Sequence, residues 1–136
     1  MISKLFEDFG WRVALPISHT SRPPREGEVH GAHYHFVSRE QLELLAREGK
    51  VLEMAEYDGH LYATSALAVE TIRRQGRLAV LHMDLHGVMQ LSASPMKTHN
   101  VWVEPPSLAA LEARLREGGG GEEETASALR QAEQAE

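Results

Sequence analysis

The sequence predicts an α/β fold in which a parallel core sheet carries a small lobe of mixed strands. Segments with strand-like and helix-like patterns alternate along the 136 residues. Residues 78–84 form a nearly continuous apolar run, which is typical of a strand buried on both faces of a parallel sheet. Asp58-Gly59 separates two β-prone runs and is the strongest hairpin signal in the chain.

The first third of the chain predicts a helix and two strands. Apolar residues recur at helical spacing over residues 2–9, and Gly10 should end that helix. The alternating apolar run over residues 11–17 predicts a strand, and residues 33–37 predict a second, shorter one.

The middle of the chain combines a helix with the hairpin. Ser38 is followed by Gln41 at capping-box spacing, so a helix should begin there and end at Gly49. Residues 51–57 and 60–64 then form the two arms of the hairpin around Asp58-Gly59.

The second half continues the alternation. Residues 65–75 and 87–92 predict helices on either side of the strand at residues 78–84. Residues 101–103 predict another buried strand, and Ser107, after two prolines, should cap a further helix.

Residues 118–136 differ in composition from the rest of the chain. Four glycines precede an Ala-, Glu- and Gln-rich stretch whose apolar stripe is thin, so this tail should fray or need a partner. We therefore expect one domain over residues 1–117, followed by a glycine-rich linker and an acidic helical tail.

Composition excludes several function classes. A hydrophobic content of 42% and a charged content of 25% are those of a globular protein. The formal charge of −6 disfavours nucleic-acid binding. No apolar run is long enough to span a bilayer, so we expect no membrane partner. The absence of cysteine excludes disulfides and thiolate metal sites and fits a cytoplasmic location.

An arginine-containing loop is the first candidate site. Residues 18–38 read SHTSRPPREGEVHGAHYHFVS. Arg22 and Arg25 lie three residues apart, and Pro23 and Pro24 stiffen the chain between them, so both guanidiniums could hold one phosphate. The alternative is a solvated basic turn.

Three histidines suggest a second kind of site. His33 and His35 alternate along a predicted strand with His30 close by, and neutral imidazoles at that spacing can share zinc. The alternative, which we adopt, is that they are surface residues and that the chain has no metal site.

The motifs taken together resemble guanylate kinases and the guanylate-kinase-like domains of scaffold proteins. The resemblance rests on the arginine loop, the runs LEMAEYDGHLYATS and VLHMDLHGV, and PPSLAALEARL. It implies a P-loop-kinase-type core sheet with an inserted GMP-binding lobe over about residues 33–64.

The resemblance also implies a GMP site. Phosphate-binding residues would be Arg22, Arg25, Tyr34 and Tyr62. Guanine-binding residues would be Ser18, Glu53, Thr64 and Asp84. Two carboxylates suit a base edge that presents hydrogen-bond donors, and adenine would leave them unpaired.

The ATP side of the family pattern is missing from this sequence. Guanylate kinases use ATP and magnesium and carry a glycine-rich loop ending in GK[ST], which this chain lacks. The glycines at residues 118–121 precede three glutamates that would repel phosphate. His82 replaces an acidic residue of the family, and only Arg114 keeps the place of a catalytic lid arginine. We therefore expect no bound ATP or magnesium and no phosphoryl transfer by this chain alone.

The first and last strands of the family's core sheet also have no counterpart here. Another chain could fill the gap, the strands could close up, or the sequence could be a fragment of a longer gene product, which we favour. If residues upstream supply the glycine-rich loop, that product would be an active guanylate kinase, which is a further alternative. A phosphopeptide-binding scaffold module is the alternative function, and retention of Glu53, Thr64 and Asp84 favours GMP over it.

Overall fold

The structure, a computed structural model, describes residues 2–119 and 121–133 as two compact units, Met1–Met96 and Lys97–Glu136. The first unit contains α1 Ile2–Phe9, β1 Val13–Ala14, β2 His19–Thr20, β3 His35–Phe36, α2 Arg39–Arg47, β4 Val51–Tyr57, β5 His60–Ser65, α3 Ala66–Arg74, β6 Leu78–Ala79 and α4 Leu85–Ser92. The second contains α5 Leu108–Glu117 and α6 Glu122–Glu133. The predicted division after residue 117 stays a prediction.

The strands form two sheets, which confirms the α/β class. β1 and β6 pair in parallel, with Val13 opposite Leu78. The second sheet has the order β3-β2-β5-β4, in which β2 and β3 are parallel and the other pairs are antiparallel. This four-stranded sheet is the predicted mixed lobe.

The hairpin turn follows the sequence signal. Asp58 and Gly59 connect β4 to β5 with φ values of 50° and 76°. Two successive positive φ values match the right-handed twist of the strands, and Asp and Gly tolerate them best. The hairpin prediction is confirmed.

Helix α2 covers one face of this sheet. Its predicted capping box is confirmed, because Ser38 Oγ accepts from the Gln41 N–H and Gln41 Oε1 accepts from the Ser38 N–H. Leu42 is fully buried against Leu61 and Ala63 of β5. Because side chains alternate along a strand, Tyr62 and Thr64 of β5 lie on the opposite face, which is left free for a site.

The strands of the core sheet are much shorter than the sequence predicts, so the predicted strand lengths were wrong. Only Val13–Ala14 of residues 11–17 and Leu78–Ala79 of residues 78–84 are strand, and Leu78 is 65% exposed. A strand persists only where a neighbour satisfies its backbone groups. Within the described residues β1 and β6 have only each other, and α4 begins directly after Asp84.

The predicted buried strand at residues 101–103 was also wrong. These residues have no regular secondary structure, and Val101 is 83% exposed. No described strand lies beside them to accept their backbone hydrogen bonds. The short strand β2, in contrast, was not predicted, because pairing with β3 and β5 forms it rather than its own sequence pattern.

The second unit is helical. Ser107 caps α5 as predicted, since its Oγ accepts from the Ala110 N–H at 3.1 Å, and the Gly118 N–H bonds to the Arg114 carbonyl at the other end. α6 packs against α5, and the last residues of the predicted tail lie outside the described residues. None of the helices within residues 2–119 and 121–133 is both long and apolar enough to cross a membrane.

Candidate functional site

Arg22 is the most firmly held residue of the arginine loop. Its Nη1 donates to Glu28 Oε2 at 2.6 Å and its Nη2 donates to Glu28 Oε1 at 2.7 Å. This two-point pair closes the loop over residues 22–28, and the Arg25 N–H adds a third bond to the same carboxylate. The hydrogen bonds from Arg22 and then from Arg25 lower the pKa of Glu28 to about 2. Glu28 therefore stays ionised at neutral pH.

Aromatic rings support the same guanidinium. The Arg22 guanidinium carbon lies 5.1 Å from the Tyr34 ring centre and 5.6 Å from that of Phe36, within cation–π range. Arg22 is only 8% exposed, and the hydrogen bonds to Glu28 raise its pKa above its usual value. A third bond joins Nη1 to the Pro23 carbonyl. A side-chain hydrogen bond with Tyr62 also helps raise this pKa, so Glu28, Pro23 and Tyr62 all contact the Arg22 guanidinium.

Arg25 lies at the mouth of a cavity of about 340 Å³. The lining residues are Arg22, Pro23, Pro24, Arg25, Asp58, His60 and Tyr62. The Arg25 side chain is exposed and has no hydrogen bond within the described residues. The cavity thus combines one fixed and one adaptable guanidinium with a phenol.

Tyr34 and Tyr62 come together from different strands of the sheet. Their ring centres lie 6.1 Å apart in an edge-on arrangement. Tyr62 stands opposite Thr20 in the β2–β5 ladder, and Tyr34 directly precedes β3, which pairs with the other side of β2. The four residues predicted to bind phosphate are therefore clustered around one side of the lobe.

A polar cluster continues along the same face of β4 and β5. Glu53 pairs with Thr64 across the ladder, and Ser18 Oγ lies 3.1 Å from Thr64 Oγ1. Thr64 is buried, whereas Glu53 and Ser18 are half-buried. Because Tyr62 and Thr64 are two residues apart on one strand, the residues predicted to bind phosphate and those predicted to bind guanine lie on one continuous surface.

Asp84 completes this polar cluster from the start of α4. Its Oδ1 accepts the Gly87 N–H at 2.8 Å, and its Oδ2 accepts the Tyr57 hydroxyl at 2.7 Å. These two bonds, the Gly87 one first, lower the pKa of Asp84. The hydrogen bond to Asp84 raises the pKa of Tyr57 to about 12, with a smaller contribution from nearby Glu53.

The structure thus brings eight of the nine predicted site residues into the first unit. Arg114 lies in the last turn of α5, in the second unit, and is exposed. Its predicted catalytic role stays a prediction.

Sequence reasoning missed three residues of this site: Glu28, Tyr57 and His60. Glu28 lies in the arginine loop, and its pairing with Arg22 depends on the loop closing. Tyr57 could have been found, because it lies at even spacing from Glu53 along β4 and therefore on the same face. His60 follows the Asp58-Gly59 turn, and only the folded cavity shows that Asp58 and His60 lie near the arginines.

The histidines form a different arrangement from the one considered for zinc. The His35 ring centre lies 4.7 Å from that of His19 and 5.5 Å from that of His30. His33 turns away, since its Nδ1 accepts from the Val29 N–H. Among the described residues no group of three or more His, Asp or Glu side chains is arranged to hold a metal ion.

A family model for guanylate kinase matches residues 1–136. The chain belongs to the guanylate kinase family. It is 40% identical over 126 residues to guanylate kinase of Schizosaccharomyces pombe, covering 93% of this chain and 62% of that protein. It is 37% identical over 125 residues to human guanylate kinase, covering 92% of this chain and 64% of that protein. The resemblance read from the sequence is therefore confirmed.

The fold of this guanylate kinase family member has a solved counterpart. The crystal structure of guanylate kinase from Anaplasma phagocytophilum matches with a TM-score of 0.63 and 28% identity, over 88% of this chain and 62% of that one. This chain spans less than two thirds of the length of each of these relatives.

The groups that the sequence analysis related to ATP and magnesium have other local roles within the described residues. Asp84 accepts one hydrogen bond on each carboxylate oxygen, and the His82 imidazole is exposed. Gly118 ends helix α5 and Gly119 has a φ of 83°, so these glycines form a helix terminus.

Proposed function

We propose that this chain binds GMP through the surface formed by the arginine loop and the β4–β5 hairpin. Arg22, Arg25, Tyr34 and Tyr62 would hold the phosphate. Ser18, Glu53, Thr64 and Asp84 would recognise the guanine. The observation that carries the proposal is that the cavity lined by Arg22, Arg25 and Tyr62 adjoins the polar cluster of Glu53, Thr64 and Asp84 on one side of the lobe.

The charged side chains of Arg22 and Arg25 support phosphate binding at one end of the site, the phosphate end. Arg25 is free of side-chain partners within the described residues, and Glu28 holds the Arg22 guanidinium in place beside Tyr62. Fixing a donor group before the ligand arrives reduces the ordering cost of binding. Two guanidiniums and two phenols would supply charge and donors to a dianion.

The hydrogen-bond acceptors of Glu53 and Asp84 support guanine recognition at the other end of the site, the base end. The N1–H and the amino group of guanine are hydrogen-bond donors, and the carboxylates of Glu53 and Asp84 would accept their hydrogen bonds. The Ser18 and Thr64 hydroxyls share a hydrogen bond at 3.1 Å, so one of them keeps its O–H to donate to the guanine carbonyl oxygen. Adenine presents an acceptor at N1, so it would leave a partly buried carboxylate unpaired.

The experiment is calorimetric titration of the purified chain with GMP, AMP, guanosine and a phosphoserine peptide. GMP should bind most tightly, because only it satisfies both ends of the site. Binding of the phosphopeptide without binding of GMP would instead support a scaffold-type interaction module. Equal affinity for GMP and AMP would contradict the base assignments.

We further propose that the chain does not transfer phosphate from ATP to GMP by itself. The 136 residues contain no GK[ST] glycine loop, and phosphoryl transfer depends on such a cradle and its charges. In the alternative, residues outside this sequence supply the loop and the chain is part of an active guanylate kinase, with Arg114 as a lid arginine. An ADP-release assay on the chain alone and on the translated genomic region around it distinguishes the two.

The short β1–β6 sheet supports one partner proposal. Leu15 and Leu78 are exposed large apolar residues beside a pair of two-residue strands. We propose that an additional strand, from residues outside this sequence or from another chain, covers them. The Leu78 and Val80 N–H groups already bond to Arg12 and Ala14, so the Ala79 N–H points to the open edge of β6. Protection of the Ala79 amide from hydrogen exchange only in the longer product would support this. The cytoplasmic location stays a prediction.

A further inference from the structure

The Tyr57 hydroxyl lies directly on the carboxylate of Asp84. Its oxygen donates to Oδ2 at 2.7 Å, while the Gly87 N–H donates to Oδ1 at 2.8 Å. An ionised carboxylate offers about four lone-pair sites on its two oxygens, so these bonds leave about half of them for a ligand.

We propose that Tyr57 is a positioning and specificity residue for the base end of the site. Its hydroxyl holds Asp84 in the orientation that accepts hydrogen bonds from a purine carrying N–H and amino donors on its pairing edge. This inference rests on the proposed function, because it takes guanine as that purine.

The location of Tyr57 supports this role. It is the last residue of β4, pairs with His60 across the hairpin, and its ring centre lies 5.9 Å from that of Tyr62. From there the phenol reaches the first turn of α4 and links the hairpin to the helix that carries Asp84. With a bond on each oxygen, the carboxylate is held against rotation before any ligand binds.

The electrostatics point in the same direction. Donation from Gly87 and Tyr57 keeps the pKa of Asp84 below its usual range, so the group is ionised and accepts only, throughout the neutral range. Nearby Glu53 gives the ligand a second acceptor, and its charge also helps keep Tyr57 in the protonated, donating form.

The hydroxyl can be removed without disturbing its surroundings. Tyr57 is 49% exposed, and phenylalanine would keep the ring beside Tyr62 and the backbone ladder to His60. Tyr57→Phe therefore deletes one hydrogen bond and little else.

The experiment compares Tyr57→Phe and Tyr62→Phe in the full chain, using GMP and AMP as competitors of a fluorescent GMP analogue. Tyr57→Phe should raise the Kd for GMP about fivefold and leave that for AMP unchanged, because only guanine uses the oriented carboxylate. Tyr62→Phe removes a hydroxyl at the phosphate end, so it should weaken both nucleotides by the same factor.

The pH dependence gives a second readout. Without the Tyr57 hydroxyl, the pKa of Asp84 rises, so GMP affinity should be lost at a higher pH on acidification than in the parent chain. Tyr62→Phe should leave the pH midpoint of GMP binding unchanged, because Tyr62 is not the hydroxyl that bonds to Asp84. The titration of the phosphate itself is the same in both variants.

Three results would overturn the inference. Equal weakening of GMP and AMP by Tyr57→Phe would mean that the hydroxyl supports the whole cavity. Unchanged GMP affinity would mean that Asp84 is held without it. If the parent chain binds neither nucleotide, the proposed function fails as well, which distinguishes that case from the other two.

Discussion

Replacing Arg25 with alanine separates the binding role of the arginine loop from its structural role. The Arg25 side chain is exposed, lines the cavity and forms no side-chain hydrogen bond within the described residues. Its removal leaves no protein group unpaired. Arg22→Ala would be a poorer test, because it strands the half-buried Glu28 carboxylate and opens the loop.

The expected loss follows from two hydrogen bonds. A guanidinium can donate two charge-assisted bonds to a phosphate, each contributing about 1.5–3 kcal/mol when well formed. Because Arg25 is exposed, solvent and salt screen both, and we expect about 2 kcal/mol in total. This corresponds to about a 30-fold increase in the Kd for GMP at 25 °C.

Calorimetric titration with GMP measures this change, and urea unfolding checks that the fold is retained. Arg25→Lys should fall between the parent and Arg25→Ala, since an ammonium keeps the charge but loses the planar fork. Arg47→Ala is the matched control, because Arg47 is exposed in the last turn of α2 and its side chain has no partner within residues 2–119 and 121–133. An unchanged Kd in Arg25→Ala, with GMP binding intact in the parent, would refute the assignment of the phosphate end.

Three further predictions concern stability. Leu42→Ala should lower the free energy of unfolding by about 3 kcal/mol, since Leu42 is 0% exposed, and a loss below about 1 kcal/mol, measured by urea unfolding, would contradict the core assignment. Ser38→Ala should cost about 1 kcal/mol by removing the cap of α2, and Ser38→Asp should restore it in thermal melts. Burial, followed by the charges of His35 and His30, lowers the pKa of His19 in the folded chain. On acidification the imidazole of His19 is therefore protonated at a higher pH in the unfolded chain than in the folded chain, and the free energy of unfolding should fall as pH drops below about 6.5. His19→Gln should flatten this dependence in urea midpoints between pH 5.5 and 7.5, and an unchanged slope would contradict it.

The sequence by itself determined the local elements that carry their own signals. The Ser38 capping box, the Asp58-Gly59 turn and the Ser107 cap are set by residues within a few positions of each other, and each forms where it was predicted. The family could likewise be identified from motifs, because their order and spacing are properties of the chain alone.

Only the tertiary structure decided how far the strands extend and which groups meet. Residues 78–84 and 101–103 are apolar and β-prone, yet a strand needs a neighbour's backbone, which sequence pattern does not supply. The bonds from Arg22 to Glu28 and from Tyr57 to Asp84 likewise depend on a loop closing and on a hairpin reaching a helix. Such contacts join residues through the fold, and their strength depends on distances and burial that exist only once the chain is folded.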